Sequence, residues 1–404
     1  MTRIDLSDIQ EAYERRFAEA ALNRPTLRLW EPADRHRIGA AIYKVLGIED
    51  DWIPSINVQT VSSQPIGGID VECLRFTSWA HVVGAAHLYR PPFEGRLPAV
   101  LLCCGHGRGG KTHSAYHRLA WRLATAGATV IVPDVIGQGQ RHHMGHADCV
   151  GPFACGTSLQ GLIVLEARGW LRWLQQRGGV DAGRIAAVGN SGGGTATLFL
   201  AALESDLAAL SCSGYPSSFE FVARKEKKHC DCNILPGIVS SLEMWQALGC
   251  FAPRPMFLFQ GREDCLFPED LFWATAARVA EVYRRDGAAG HLTARVFDGS
   301  HGWDAVRRGA LVAFLKETLR LAGSDPGDPD QDELDEDHSC PITWPADTLT
   351  TDQLAAHLTG RTTAQPATLE SLFPPCASPE CMAHSLPRVS ARRLWAQFEA
   401  FLGC

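Results

Sequence analysis

The sequence predicts a doubly wound α/β fold, a mostly parallel sheet with an antiparallel start, and three observations carry that prediction. From Ala99 onward, short apolar runs alternate with longer helical patterns, the rhythm of strand–helix–strand units. Those short runs are continuously apolar rather than alternating, as strands covered on both faces are. Ahead of them lie three strand-like runs, and the last two are separated only by a polar turn, which pairs them antiparallel.

Taken in order, Ser7-Asp8-Ile9-Gln10 reads as a capping box, with Ile9, Tyr13 and Phe17 as the buried stripe of a first helix. A second helix spans Ala33 to Leu46, carries Ile38, Ile42 and Val45 on one face, and stops at Gly47. Together these make residues 1–56 an N-terminal helical extension. Residues 57–322 are expected to form the main α/β domain. It opens with strands at Val58–Val61, Ile69–Phe76 and Val82–Tyr89. Strands follow at Ala99–Cys103, Thr129–Val132, Ile185–Val188, Ala208–Ser211, Pro255–Phe259 and Thr293–Phe297, with helices near 113–126, 158–177, 192–203, 269–285 and 303–321. Residues 212–254 are an insertion long enough to roof a site at the strands' carboxyl ends. Residues 323–339 form an acidic, Pro/Gly-rich linker, read as solvated. The extension 340–404 holds Leu354, Leu358, Leu369, Leu372, Leu394, Phe398 and Phe401. That is enough to pack on the core or a partner, but too little for a core of its own.

The 404 residues are 46% hydrophobic and 21% charged, ordinary values for a chain that buries a large core. The net charge of −7 comes from one place, because eight acids and no Lys or Arg lie between Asp325 and Asp337. The near-neutral remainder favours neither nucleic acid nor an anionic membrane as partner. The chain opens without the apolar run of a signal peptide and holds no stretch long enough to span a membrane, so a cytoplasmic location is expected. The fourteen cysteines then read mostly as buried thiols, Cys103 and Cys104 at the end of a strand among them.

Gly189-Asn190-Ser191-Gly192-Gly193 is the most informative stretch. It is a G-x-S-x-G set between a strand pattern and an apolar helical run, the context of a nucleophile elbow. A serine nucleophile needs a base, a group that orients the base, and donors for the oxyanion. In sheets of this kind the partners follow in the order Ser, Asp/Glu, His, each just past a strand. Asp298-Gly299-Ser300-His301 follows one strand and supplies His301 as the base. Gly261-Arg262-Glu263-Asp264 follows another, so Glu263 and Asp264 compete with Asp298 to be the acid. Asp264 is preferred, because its four-residue offset to Pro268 suits a loop that bends back before the next helix. One oxyanion donor is the Gly192 N–H, at the positive end of the helix. The other comes from the glycine-rich turn Cys104–Gly110 and is assigned to the His106 N–H, with Gly107 as fallback. That turn lacks the Lys-Ser/Thr spacing of a P-loop.

Tyr215, Phe219, His229, Trp245 and Trp303 are candidates to line the pocket, with plain core packing as the alternative for each. Arg141 is a candidate for a substrate carboxylate, against a surface ion pair. His142-His143-x-x-His146 with Cys149, and His229-Cys230-Asp231-Cys232, have the residue types of a metal site. They lack the paired C-x2-4-C spacing of zinc sites, so neither metal nor cofactor is expected.

These residues resemble the α/β-hydrolase superfamily, and within it the acetyl xylan esterase and dienelactone hydrolase-like branch. The similarity runs from about Val71 to Leu321 and rests on Cys104-Gly105-His106-Gly107, Asp134-Val135-Ile136-Gly137-Gln138-Gly139, Val180-Asp181-Ala182-Gly183-Arg184-Ile185 and Ala252-Pro253-Arg254-Pro255. The branch's Gly-x-x-Asp-x-x-x-Pro pattern falls on Gly261, Asp264 and Pro268, which supports Asp264 as the acid. The chain departs from the branch at Cys104, where a histidine is customary. It departs from the nearby glucuronoyl esterases at Gly192, where they carry arginine. The resemblance implies a serine hydrolase that cleaves an ester or related acyl bond of a small-molecule substrate through an acyl-enzyme. Two alternatives remain: a biosynthetic non-hydrolytic step such as cyclisation, acyl transfer or elimination, and a non-catalytic binding protein on the same fold. The sequence leaves a homo-oligomer open.

Overall fold

The three early strands and the six of the later alternation join in one nine-stranded sheet. The computed structural model describes residues 34–146, 150–224, 229–233, 235, 237–328 and 339–360. Its strands are β1 Asn57–Ile66, β2 Ile69–Thr77, β3 Val83–Arg90, β4 Leu97–Cys103, β5 Thr129–Pro133, β6 Val180–Asn190, β7 Ala209–Ser213, β8 Met256–Gly261 and β9 Leu292–Phe297. They lie in the order β1-β2-β3-β5-β4-β6-β7-β8-β9. The pairs β1–β2, β2–β3 and β3–β5 are antiparallel, and all pairs from β5 onward are parallel. The antiparallel start and the parallel remainder are as the sequence predicts.

The central strands explain their own apolar runs. Every residue of β5, β7 and β8 is buried, because helices cover both faces. Successive side chains go to opposite sides: Leu101 and Ala187 join one core, while Val100, Leu102, Ala186 and Val188 join the other. The first core is closed by α1 Asp34–Leu46, α4 Leu159–Gln176, α5 Gly192–Leu203 and α9 Glu269–Arg285, through residues such as Ile42, Trp170, Phe199 and Phe272. The second is closed by α2 Ser114–Thr125 and α10 Ala305–Leu319, through Leu119, Leu123, Leu311 and Leu315. Each such fully buried side chain contributes about 1.5–3 kcal/mol. The short α3 Val150–Ala154 precedes α4.

Helix ends follow local chemistry. The predicted start of α10 at 303 moves to Ala305, because the Asp304 side chain accepts the Arg307 N–H at 2.8 Å and caps the helix. The first predicted helix, around Ile9 to Phe17, lies outside the described residues. The first two residues of the insertion 212–254 still belong to β7, and its described residues include the short helices α6 Phe219–Arg224, α7 Ile238–Ser241 and α8 Met244–Gly249, the last opened by a Glu243/Gln246 capping box. Beyond the sheet, α11 Thr351–Thr359 buries Leu354 and Ala355 in the first core, and Thr351 Oγ1 donates to the Gly145 carbonyl at 2.7 Å. Residues 361–404, with Leu369, Leu372, Leu394, Phe398 and Phe401, lie outside the described residues.

One expectation fails at the start of the linker. Asp325 and Asp328 are half-buried and ion-paired rather than free in solvent. Arg122 donates to both Asp325 oxygens at 2.9 and 2.7 Å and to Asp328 at 2.8 Å, and Arg308 also donates to Asp328. Two guanidiniums on α2 and α10 thus hold the linker's first acids against the domain, where composition alone reads the whole segment as free. Among the described residues, no helix is long and apolar enough to cross a membrane.

Candidate active site

All four loops named for the chemistry emerge at the carboxyl ends of parallel strands, where open α/β sheets bind ligands. Ser191 follows β6 with φ 58° and ψ −121°, a left-handed backbone that a non-glycine residue holds at a cost of about 1–3 kcal/mol. The glycines around it make the turn sterically feasible. A Cβ on Gly193 would lie 1.9 Å from the Cys103 carbonyl oxygen, so no larger residue lets α5 approach β4 this closely.

Past β9, His301 Nδ1 lies 2.7 Å from Asp264 Oδ2. A carboxylate only accepts, so Nδ1 carries the proton and Nε2 keeps the lone pair. Nε2 is buried and makes no hydrogen bond among the described residues. Asp264 is itself held, because its Oδ1 accepts the N–H groups of Leu266 and Phe267 at 2.9 and 3.1 Å. Its two rivals are placed elsewhere. Glu263 is exposed, and Asp298 is a solvent-facing carboxylate that accepts from Arg262 at 3.2 Å.

The turn after β4 is fixed from three sides. The Gly105 N–H donates to the Tyr116 hydroxyl at 2.7 Å, and the Gly107 N–H to Gln138 Oε1 at 3.1 Å. The fallback donor Gly107 is therefore engaged, while the His106 N–H between them makes no hydrogen bond among the described residues. Lys111 and Asp134 brace the base of the turn as a fully buried ion pair at 2.9 Å. Asp134 also accepts the backbone N–H groups of Lys111 and Gln140. The Asp134–Gly139 segment thus buttresses the turn. Burial pushes the neighbouring Cys103 thiol up to about 12 and the Cys104 thiol well above its ordinary value, so both are neutral packing groups.

Ser191, Gly192, His106 and His301 border one cavity of about 350 Å³, with Tyr215, His229 and Trp303 in its walls. Trp303 is anchored by its indole N–H, which donates to Ser213 Oγ at 2.7 Å. Three of the candidates are not brought there. Trp245 packs on α8 in the first core. Arg141 is wholly buried and donates to both oxygens of Glu166 at 2.6 and 3.0 Å, so it meets neither substrate nor solvent. Phe219 likewise packs in the first core and does not line the cavity. The sequence reading missed Tyr116, His113, Asn190, Asn233 and Phe267, which line the cavity. Only Gln138, inside the Asp134–Gly139 motif, carried a signal for its bracing role. His106, His146, Cys230 and Cys232 also converge at the cavity's edge with the donor types of a metal site. His142 and His143 stand apart from that group, and Cys149 lies outside the described residues.

Comparison with known proteins agrees with this architecture. The family profile "Acetyl xylan esterase (AXE1)" matches residues 61–227. The Bacillus subtilis (strain 168) protein named "Putative hydrolase YtaP" is 24% identical over 292 residues, covering 69% of this chain and 97% of its own. Among solved structures, the acetyl xylan esterase 1 of Thermoanaerobacterium sp. JW/SL YS485 has a TM-score of 0.51 at 16% identity, covering 80% of this chain and 100% of that one. A glucuronoyl esterase from Solibacter usitatus has a TM-score of 0.56 at 14% identity, covering 70% and 92%. At these identities the structures speak for the fold alone, and the profile match covers less than half of the chain. The chain thus shares the fold of these esterase structures, and its residues 61–227 are similar to the acetyl xylan esterase family.

Proposed function

We propose that the chain is a serine esterase that removes a small acyl group from a carbohydrate, with Ser191, His301 and Asp264 as its triad. The observation that carries this reading is the His301–Asp264 hydrogen bond of 2.7 Å, which leaves the lone-pair nitrogen of His301 at a cavity shared with the strained Ser191. Ser191 Oγ attacks the ester carbonyl carbon while its proton passes to His301 Nε2. The Gly192 and His106 N–H groups hold the tetrahedral oxyanion. The intermediate collapses, and the leaving alcohol takes the proton from His301. Water, deprotonated by the same nitrogen, then frees the acid from Ser191. Asp264 stays ionised throughout and fixes the tautomer of His301.

The substrate class rests on the profile match together with the cavity. Its volume lies at the low end of small-molecule pockets, about 300–1,000 Å³, which suits an acylated sugar unit. The His106 ring occupies the space that a side chain at 192 would need, with Cε1 2.5 Å from a Cβ built there. This separates the site from glucuronoyl esterases that carry arginine at the matching position. The test is a panel of p-nitrophenyl esters, acetylated xylo-oligosaccharides, lactones and aminoacyl amides, run with the wild type and Ser191→Ala. Acetyl ester turnover that vanishes in Ser191→Ala is expected, and turnover retained in that variant overturns the reading. Running the reaction in ¹⁸O-water separates hydrolysis, which labels the released acid, from acyl transfer or cyclisation.

A further inference from the structure

Four side chains from three separate loops meet beside the cavity: His106 after β4, His146 after β5, and Cys230 and Cys232 in the insertion. Their donor atoms all lie within 4.8 Å of one another. His106 Nε2 sits 3.2 Å from Cys232 Sγ, and the His106 and His146 rings meet edge to face with centroids 4.8 Å apart. His146 Nδ1 lies 2.8 Å from the Ile136 carbonyl oxygen. A carbonyl only accepts, so Nδ1 holds the proton and Nε2 is the nitrogen with a lone pair. A backbone carbonyl behind a histidine is the arrangement that fixes the tautomer and orientation of metal-bound imidazoles. His146 and Cys232 are buried and Cys230 partly so, with His106 at the open side.

The dimensions suit a tetrahedral ion. With Zn–S about 2.3 Å and Zn–N about 2.0 Å, ligand atoms around zinc stand about 3.3–3.8 Å apart. The His106–Cys232 separation of 3.2 Å is already close to that, and no separation in the cluster need contract by more than about 1.5 Å. The donor set, two imidazoles and two thiols, is that of structural zinc. The sequence concealed it because the spacing rule looks for two local pairs. Here one ligand pair comes from a single short turn, Asp231–Asn233 with its preceding residue, and the two histidines come from different strand ends.

We propose that His106, His146, Cys230 and Cys232 form a Cys2His2 zinc site that clasps the insertion 212–254 to the turn carrying the His106 N–H. Four protein ligands fill the tetrahedron, so the ion is structural and takes no substrate. Binding requires both thiols as thiolates, and their protons pass to solvent. The site stands independently of the esterase reading, since metal content is measured without any substrate.

The test uses the full chain purified without a polyhistidine tag, with zinc counted by inductively coupled plasma mass spectrometry. One zinc per chain is expected in the wild type. Near zero is expected in the Cys230→Ser/Cys232→Ser double variant, and an unchanged content in Cys73→Ser, because Cys73, His87 and Cys340 form a separate buried group of only three donors. Should the double variant fold poorly, the wild type alone decides the matter. Stripped of metal and refilled with Co(II), it should show thiolate-to-cobalt charge transfer and intense tetrahedral d–d bands. Substoichiometric zinc with no such bands, metal that follows Cys73 instead, or a Cys230–Cys232 disulfide in the purified protein would each overturn the proposal.

Discussion

Asp264→Asn is the sharpest single change, because it keeps shape and volume while inverting a proton. In the wild type, Asp264 Oδ1 is satisfied by two backbone N–H groups at 2.9 and 3.1 Å, and Oδ2 takes the His301 Nδ1 proton at 2.7 Å. An asparagine keeps its carbonyl oxygen on the two N–H donors, which places its NH2 opposite His301. Two donors cannot face each other, so the imidazole moves its proton to Nε2. The nitrogen that should receive the Ser191 proton then has no lone pair. Loss of the orienting carboxylate in this way lowers kcat by about ten-thousand-fold, close to 5.4 kcal/mol of barrier at about 1.36 kcal/mol per tenfold. The backbone contacts survive, so folding should be little changed. Steady-state kinetics on an acetyl ester, with circular dichroism as a folding control, tests this beside Glu263→Gln and Asp298→Asn. Those two carboxylates are solvent-facing, and their variants should stay within about twofold of wild type, the scale of ordinary surface changes. An Asp264→Asn enzyme within tenfold of wild type, or a Glu263→Gln enzyme that falls as far, would refute the assignment.

Three further outcomes follow from the same geometry. Gly192→Ala puts a methyl into the His106 ring, 2.5 Å from Cε1, and should lower kcat by about a hundredfold with little change in KM, as a displaced oxyanion donor does; an unchanged kcat would remove His106 from that role. Glu166→Gln leaves Arg141 buried beside a neutral partner and should cost about 3–5 kcal/mol of stability, read as a clear fall in thermal midpoint. For Asp328, burial raises the carboxyl, but hydrogen bonds from Arg308 and Arg122 outweigh it and hold the pKa below the ordinary 3.8. Its contribution is therefore present above pH 3.8 and lost as pH falls through the depressed value. Asp328→Asn should melt below the wild type at neutral pH, with the gap closing under acid, and a gap that persists there would contradict the ion-pair account.

What the sequence disclosed divides along a physical line. Strands β4 to β9 and the elbow were legible because burial on both faces and the steric demand at Ser191 are written in adjacent residues. The placement of Asp264 beside His301 agrees with the reading from its offset to Pro268, and its Asx contacts with Leu266 and Phe267 give that offset a cause. Arg141 with Glu166, Asp325 and Asp328 with Arg122, and the meeting of His106, His146, Cys230 and Cys232 were not. Each joins loops or helices distant in sequence, and neither periodicity nor spacing reports which distant groups a fold brings together. Trp245 shows the same limit from the other side: an aromatic near a site in sequence is as readily core as lining.

The central claim is that Ser191 carries the acyl group, and intact-protein mass spectrometry after rapid acid quench tests it most directly. With an acetyl ester in excess, the account predicts a transient adduct of one acetyl group, located on the peptide containing Ser191 and absent from Ser191→Ala. Turnover of the ester with no adduct on that peptide, or an adduct that persists in Ser191→Ala, would contradict it.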